Sequence, residues 1–184
     1  PPRPPRVSQL IAAARELLET EGHEALTMRR LGQAIGIRAP SIYKHLPDKR
    51  AVEVALIEAG LDEMGDVLHR AVAQAGDETA VAALLGVYRA QALAHPNLYR
   101  LATGGPLPRA DLTPGLEDWA GEPFLLVTGD PFVAQGLWAF AHGMVILELD
   151  GRFPDDSDLE RTWQAGAAAL TRRRRGRPLP TLGP

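Results

Sequence analysis

Apolar residues recur along this chain with a helical period. Val7, Leu10, Ile11, Ala14, Leu17 and Leu18 follow the i, i+3, i+4, i+7 spacing of one buried face, and Gly22 closes the segment. Thr27 is placed to cap a short helix over about 28–35, with Leu26 and Leu31 as its hydrophobic staple. Gly36 then supplies a tight turn, Ile37 plugs the core, and Pro40 suits the first position of a second short helix over about 40–46. In that helix Ile42 and Leu46 lie four apart and face inward, leaving Ser41, Tyr43, Lys44 and His45 mainly outward. Pro47 ends it. Asp48 can cap a longer helix from Lys49, carrying Val52, Leu56, Ile57, Leu61, Met64 and Leu68 along one side.

The second half is also helical. Residues 79–95 predict a helix through Leu84, Leu85, Tyr88 and Leu93, and 96–102 a short one. Between 103 and 130 glycines and prolines interrupt the pattern, so only short helical pieces near 116–119 and 124–127 are expected. Asp130 and Pro131 restart regular structure to about Asp150, with apolar residues all round the axis, so that this helix must be covered on several sides. Ser157 and Glu160 form a capping box for a last helix to about Arg172, with Leu159, Trp163, Gly166, Ala167 and Leu170 on one side. No strand-like alternation and no internal repeat is visible. The expected fold is all-α: an N-terminal three-helix domain over 1–50, a larger helical domain over 51–172 and a basic, disordered tail over 173–184.

Composition narrows the chemistry. The 184 residues are 45% apolar, enough for a true core, yet no uninterrupted apolar run approaches the roughly 18 residues that span a bilayer. No membrane partner is expected. The absence of cysteine excludes disulfides, thiolate zinc sites, iron-sulfur clusters and cysteine nucleophiles. Nothing at the start reads as a secretory leader, which suggests a cytoplasmic protein. The net charge of -3 conceals a division: residues 1–50 carry +4, residues 51–171 carry -12, and the last thirteen add +5. Such asymmetry is either ordinary surface variation or a polyanion-binding part joined to one that is not.

Two short helices joined by a glycine turn, the second with a small, polar and basic outer face, suit a helix-turn-helix whose recognition helix enters the major groove of double-stranded DNA. Ser41 is short enough for close approach, Lys44 and His45 can donate to bases or phosphates, and the Tyr43 hydroxyl can reach a phosphate. Thr27 and Lys49 sit at helix N-termini, where free amides favour an anion. Through "LTMRRLGQAIGIRAPSIYKHLPDKRAV", residues 7–57 resemble the N-terminal domain of TetR-family transcriptional repressors. The resemblance implies phosphate contacts for Thr27, Tyr43 and Lys49 and groove-facing roles for Arg38, Pro40, Ser41, Lys44 and His45. Leu46 departs from it, since many relatives carry phenylalanine there. A weaker likeness, in "LWAFAHGMVILEL" with Trp138, His142 and Gly143, is to the tryptophan-histidine-glycine signature of one group of C-terminal regulatory domains.

The resulting expectation is a ligand-responsive repressor acting as a homodimer on a pseudo-palindromic operator. Leu61, Met64, Leu68, Tyr88, Gln91, Leu101, Trp119, Trp138 and His142 are the candidate walls of an inducer pocket, or alternatively a filled core. His142 itself reads as a hydrogen-bonded core residue or as a ligand contact. Gly136, Phe140, Gly143, Leu147, Trp163, Gly166, Ala167 and Leu170 are the candidate dimer interface, an intersubunit four-helix bundle. Asp62, Asp66 and His69 share a helix face but lack the second Glu-x-x-His of a carboxylate-bridged metal site, and no metal or cofactor is expected. No nucleophile elbow, phosphate loop or His-Glu-x-x-His helix is present. The alternative function is a small all-helical enzyme or carrier holding an apolar molecule in its second domain, which would leave the basic hairpin without a purpose.

Overall fold

The computed structural model describes residues 4–171; the expected basic tail and the first residues of the chain lie outside them. Nine α-helices and two single 3-10 turns make up the described regular structure, with no strand among those residues. The first three helices, α1 (Pro5–Glu21), α2 (Met28–Ala34) and α3 (Ala39–Tyr43), close with the start of α4 (Lys49–Gln74) around one hydrophobic cluster. Local chemistry explains the boundaries. The Thr27 side chain accepts from the Arg30 amide at 3.2 Å, and Asp48 accepts from the Ala51 amide at 2.8 Å. Gly36, at φ 68°, takes the left-handed turn between α2 and α3 that a side chain would resist. Ile42 and Leu46 are buried as expected, although α3 is shorter than the spacing suggested and Pro40 is its second residue rather than its first.

A second cluster is formed by the C-terminal half of α4 with α5 (Ala80–Ala94), α6 (Pro96–Thr103), α7 (Leu116–Thr128), α8 (Pro131–Leu149) and α9 (Leu159–Thr171). Leu93, expected on the buried face of α5, is exposed. The largest departure is α7, where one continuous helix of 13 residues replaces two fragments. Pro123 cannot donate to the carbonyl of Trp119 four residues earlier, which should leave that oxygen unpaired. His69 of α4 fills the gap: its Nε2 lies 3.0 Å from that carbonyl, and its ring stacks on the Trp119 indole at 5.1 Å. Gly65 makes room for the same indole, because a Cβ there would come within 2.3 Å of the Trp119 ring. His69, which shares a sequence face with Asp62 and Asp66, thus serves helix packing.

The last helix begins one residue later than the capping box predicts. Asp158, not Ser157, is its cap, accepting from the Arg161 amide at 3.0 Å. Helix α8 has the length and hydropathy to cross a membrane, but it packs against α5, α7 and α9 and carries the buried Ala134, Leu137, Ala141, Met144 and Val145. Its Glu148 takes Arg89 of α5 at 2.8 Å and the Trp163 indole N–H of α9 at 2.6 Å, which joins three helices through one carboxylate.

Two helices belong to both clusters. Helix α4 contributes Val52, Ala55 and Leu56 to the first and Leu68 to the second; α6 contributes Leu98 to the first and Tyr99 to the second. The N-terminus of α6 is fastened to α1, where the Glu19 carboxylate accepts from the amides of Asn97 at 3.1 Å and Leu98 at 2.8 Å.

Candidate nucleic-acid interface and ligand cavity

Buried Ile42 and Leu46 anchor α3, and its other side is open to solvent through Arg38, Pro40, Ser41, Tyr43, Lys44 and His45. Those six, all expected at DNA, therefore share one exposed surface. Thr27 is exposed beside it, with its hydroxyl engaged as the α2 cap. Lys49 is partly buried, its ammonium 3.4 Å from the His23 carbonyl and 3.7 Å from Glu53. It is held at the N-terminus of α4, where the helix dipole and the lysine charge add.

Below this surface, at the far half of α4, a cavity of about 1020 Å³ opens between α4, α5, α6, α7 and α8. Eight of the nine residues expected there line it: Leu61, Met64, Leu68, Tyr88, Gln91, Trp119, Trp138 and His142. Leu101 does not, because α6 turns it against the N-terminal cluster instead. Residues not anticipated complete the wall, among them His95, Leu98, Tyr99, Phe124 and Gln135. Tyr99 is the most consequential. Its hydroxyl lies 2.8 Å from the Tyr88 hydroxyl and 2.8 Å from Nδ1 of His142. The signal for it is the helix over 96–102, whose 3.6-residue period turns Tyr99 toward one domain while Leu98 faces the other.

Burial governs the acidities here. It pushes the Tyr88 phenol up to about 12 and raises Tyr99 further. It also holds His142 below the ordinary histidine value, so the ring is neutral near neutral pH. Trp138 stacks on that ring at 5.9 Å. The segment between α6 and α7 closes one side through Gly105, Pro106, Leu107 and Arg109. It is tied back to α4, with Asp111 accepting from Arg50 at 2.6 Å and Glu58 accepting from the Thr113 amide at 2.7 Å.

The expected interface residues divide. Trp163 is buried in its own chain, edge-on to Phe140 at 5.5 Å, and a Cβ on Gly166 would meet that Phe140 ring at 2.3 Å. These three hold α8 to α9 within one chain, and Ala167 packs partly on the same cluster. Gly136 lies opposite Leu170. Gly143 has nothing near it, while Leu147 and Leu170 are exposed. Two residues outside that set are more conspicuous: Phe132 is 82% exposed, and Trp138, expected only at the ligand, is 48% exposed.

Comparison with known proteins agrees with both halves. Residues 10–56 match the family described as bacterial regulatory proteins, tetR family, and residues 81–170 match the tetracyclin repressor-like C-terminal domain. The HTH-type transcriptional regulator Rv0681 of Mycobacterium tuberculosis is 30% identical over 176 residues, covering 85% of this chain and 77% of its own. Among solved structures, a protein from Rhodococcus sp. RHA1 superposes with a TM-score of 0.79 at 24% identity, covering 92% of this chain and 95% of that one. A single-site variant of TetR from Acinetobacter baumannii AYE, in complex with minocycline, superposes with a TM-score of 0.61 at 22% identity, covering 88% and 92%.

Proposed function

This chain belongs to the TetR family of DNA-binding transcriptional regulators, and from that premise we propose a cytoplasmic homodimeric repressor, released from a pseudo-palindromic operator by a small apolar or amphipathic inducer. Regulators of this family join a DNA-binding N-terminal domain to a ligand-binding C-terminal one, so the enzyme or carrier alternative gives way. The observation that carries the reading is α4. It starts at Lys49, capped by Asp48 a short turn after the recognition helix ends at Tyr43, and its Leu61, Met64 and Leu68 wall the cavity. A molecule seated there bears on the same rod that sets the angle of α3. Thr27, Tyr43 and Lys49 would hold phosphates, while Arg38, Pro40, Ser41, Lys44 and His45 face the groove.

The apolar face of α8 and α9 at Gly143, Leu147 and Leu170 supports pairing with a second copy, extended by the exposed Phe132. Two recognition helices then meet successive major grooves roughly 34 to 36 Å apart. Release requires the inducer to favour the DNA-incompetent arrangement, since equal affinity for both would shift nothing. Selection of bound fragments from random duplex DNA tests the reading: an inverted repeat is expected, and recovery of unrelated fragments would reject a sequence-specific dimer. A compound screen against the recovered operator tests release.

A further inference from the structure

The hydrogen-bonded chain at the cavity wall has a direction. The buried Tyr88 hydroxyl has one hydrogen-bond partner among the described residues, the Tyr99 hydroxyl at 2.8 Å, and the Tyr99 hydroxyl has a second, Nδ1 of His142 at 2.8 Å. Both hydroxyl protons find acceptors when Tyr88 donates to Tyr99 and Tyr99 to Nδ1. Run the other way, with Nδ1–H donating to Tyr99 and Tyr99 to Tyr88, the Tyr88 proton would have no acceptor among the described residues. A neutral imidazole that accepts at Nδ1 carries its proton on Nε2. That edge of the ring has no partner among the described residues, and His142 lines the cavity.

Charge is arranged against anions. Arg109, the one arginine or lysine among the described lining residues, is already bonded through two nitrogens to Glu117, at 2.7 and 2.6 Å. The other ionised lining groups, Asp118 and Glu122, are also carboxylates. A buried carboxylate ligand would find no free arginine or lysine among the described lining residues and would desolvate at a cost. Flat apolar surface is instead abundant and fixed. Trp119 is seated over Gly65 and stacked on His69, Trp138 is stacked on His142, and Tyr88 meets Phe124 edge-on at 5.7 Å.

We propose that the cavity selects an uncharged, flat aromatic molecule bearing a hydrogen-bond acceptor, such as an aromatic ketone, and that the acceptor docks on Nε2–H of His142. The proposal rests on the reading of this cavity as the inducer site and names the chemistry that site recognises. Titration of the full chain, followed by tryptophan quenching and calorimetry, tests it with four probes. These are flavone, flavan, which keeps the skeleton without the ketone, a flavone carboxylic acid, and the lipophilic cation tetraphenylphosphonium. Flavone is expected to bind about fivefold to tenfold more tightly than flavan, and roughly a hundredfold more tightly than the carboxylate. Failure of flavone to bind, or equal or tighter binding of any other probe, overturns the proposal.

Nitrogen NMR of histidine-labelled protein should place the His142 proton on Nε2, and a proton on Nδ1 overturns the assigned direction. In His142→Phe the preference for flavone over flavan should vanish; its survival overturns the contact. Operator binding, measured separately, distinguishes the two levels. Flavone that binds as expected yet leaves operator affinity unchanged rejects the inducer role and keeps the cavity chemistry. Release by the carboxylate but not by flavone rejects the chemistry and keeps the repressor.

Discussion

The two hydrophobic clusters use the same kinds of side chain and finish differently. In the N-terminal cluster Leu10, Leu18, Leu26, Leu31, Ile42 and Leu56 are sealed, and the polar groups with chemistry to offer stand outside on α3. In the C-terminal cluster a cavity interrupts the packing, a Tyr-Tyr-His chain lies inside, and large apolar residues such as Phe132 stand outside. A closed core makes a rigid reader of DNA. An incompletely closed one leaves space within and exposed apolar residues without, features that the proposed inducer and second copy would use. The two are not separate bodies, because α4 and α6 each place residues in both.

Truncation should separate the clusters most sharply. Leu56→Ala, in the sealed core, should cost about 3 kcal/mol by urea unfolding, within the range for buried leucines. Met64→Ala, at a wall that already borders open space, should cost about 1 kcal/mol or less, since it removes fewer packed neighbours. Equal losses would mean that the cavity wall is packed like the sealed core, and the contrast would fail.

Substitution at Gly143 asks whether the outer face of α8 is an interface or a plain surface. A Cβ there meets nothing within 4 Å among the described residues, so the monomer fold should be little changed. Overpacking against a second copy should weaken the dimer by about 1 to 3 kcal/mol, seen as dissociation in sedimentation and a parallel drop in operator affinity. Gly166→Leu is the contrasting case, since its clash with Phe140 lies inside one chain and should lower folding stability itself. A dimer unaffected by Gly143→Leu moves the interface elsewhere.

How much of this is legible in the sequence follows the same division. Thr27, Gly36, Pro47 and Asp48 act on neighbours within a few residues, so the helix-turn-helix and its exposed face can be read directly from the residues. Pro123 and Gly121 are local signals too, and they mislead, because the atom that compensates for Pro123 belongs to His69, more than fifty residues earlier. The eight lining residues are visible as large side chains at helical spacing, but spacing alone does not distinguish a cavity from a filled core. The burial of Trp163 within its own chain is hidden for the same reason: its partners Glu148, Phe140 and Arg89 come from two other helices.

On the DNA side, Tyr43→Ala should lower affinity for operator and random DNA alike and reduce the log-log salt slope by up to roughly 0.9, the share of a single phosphate. Lys44→Ala or Ser41→Ala should change which base is preferred, by about 1 kcal/mol or more at one position. Lys49→Ala should resemble Tyr43→Ala with a smaller change in slope, because its ammonium already lies near Glu53 and the His23 carbonyl. Base preference unchanged by both Lys44 and Ser41 substitutions would move the recognition surface off α3.

The smallest expected effect is that of pH, and it reaches the interior polar chain. Burial lowers the His142 pKa from 6.5 in the folded state, so the unfolded chain takes up the proton first as pH falls. Protons then favour the unfolded state. Stability should be insensitive to this group above about pH 7, decline as pH drops through 6.5, and level off once the folded protein is protonated as well. Protonation of the folded protein, at the lower end of that range, also removes the Nδ1 acceptor that Tyr99 uses. The ring is partly exposed, which keeps the effect modest and makes a difference measurement necessary. Unfolding free energies of wild type and His142→Asn, compared from pH 7.5 to 5 on the scale set by an ordinary histidine, should diverge only below 6.5, with wild type losing more. Parallel curves would show that His142 titrates as a solvated group, and the contrast between an apolar sealed core and a polar open one would lose its interior half.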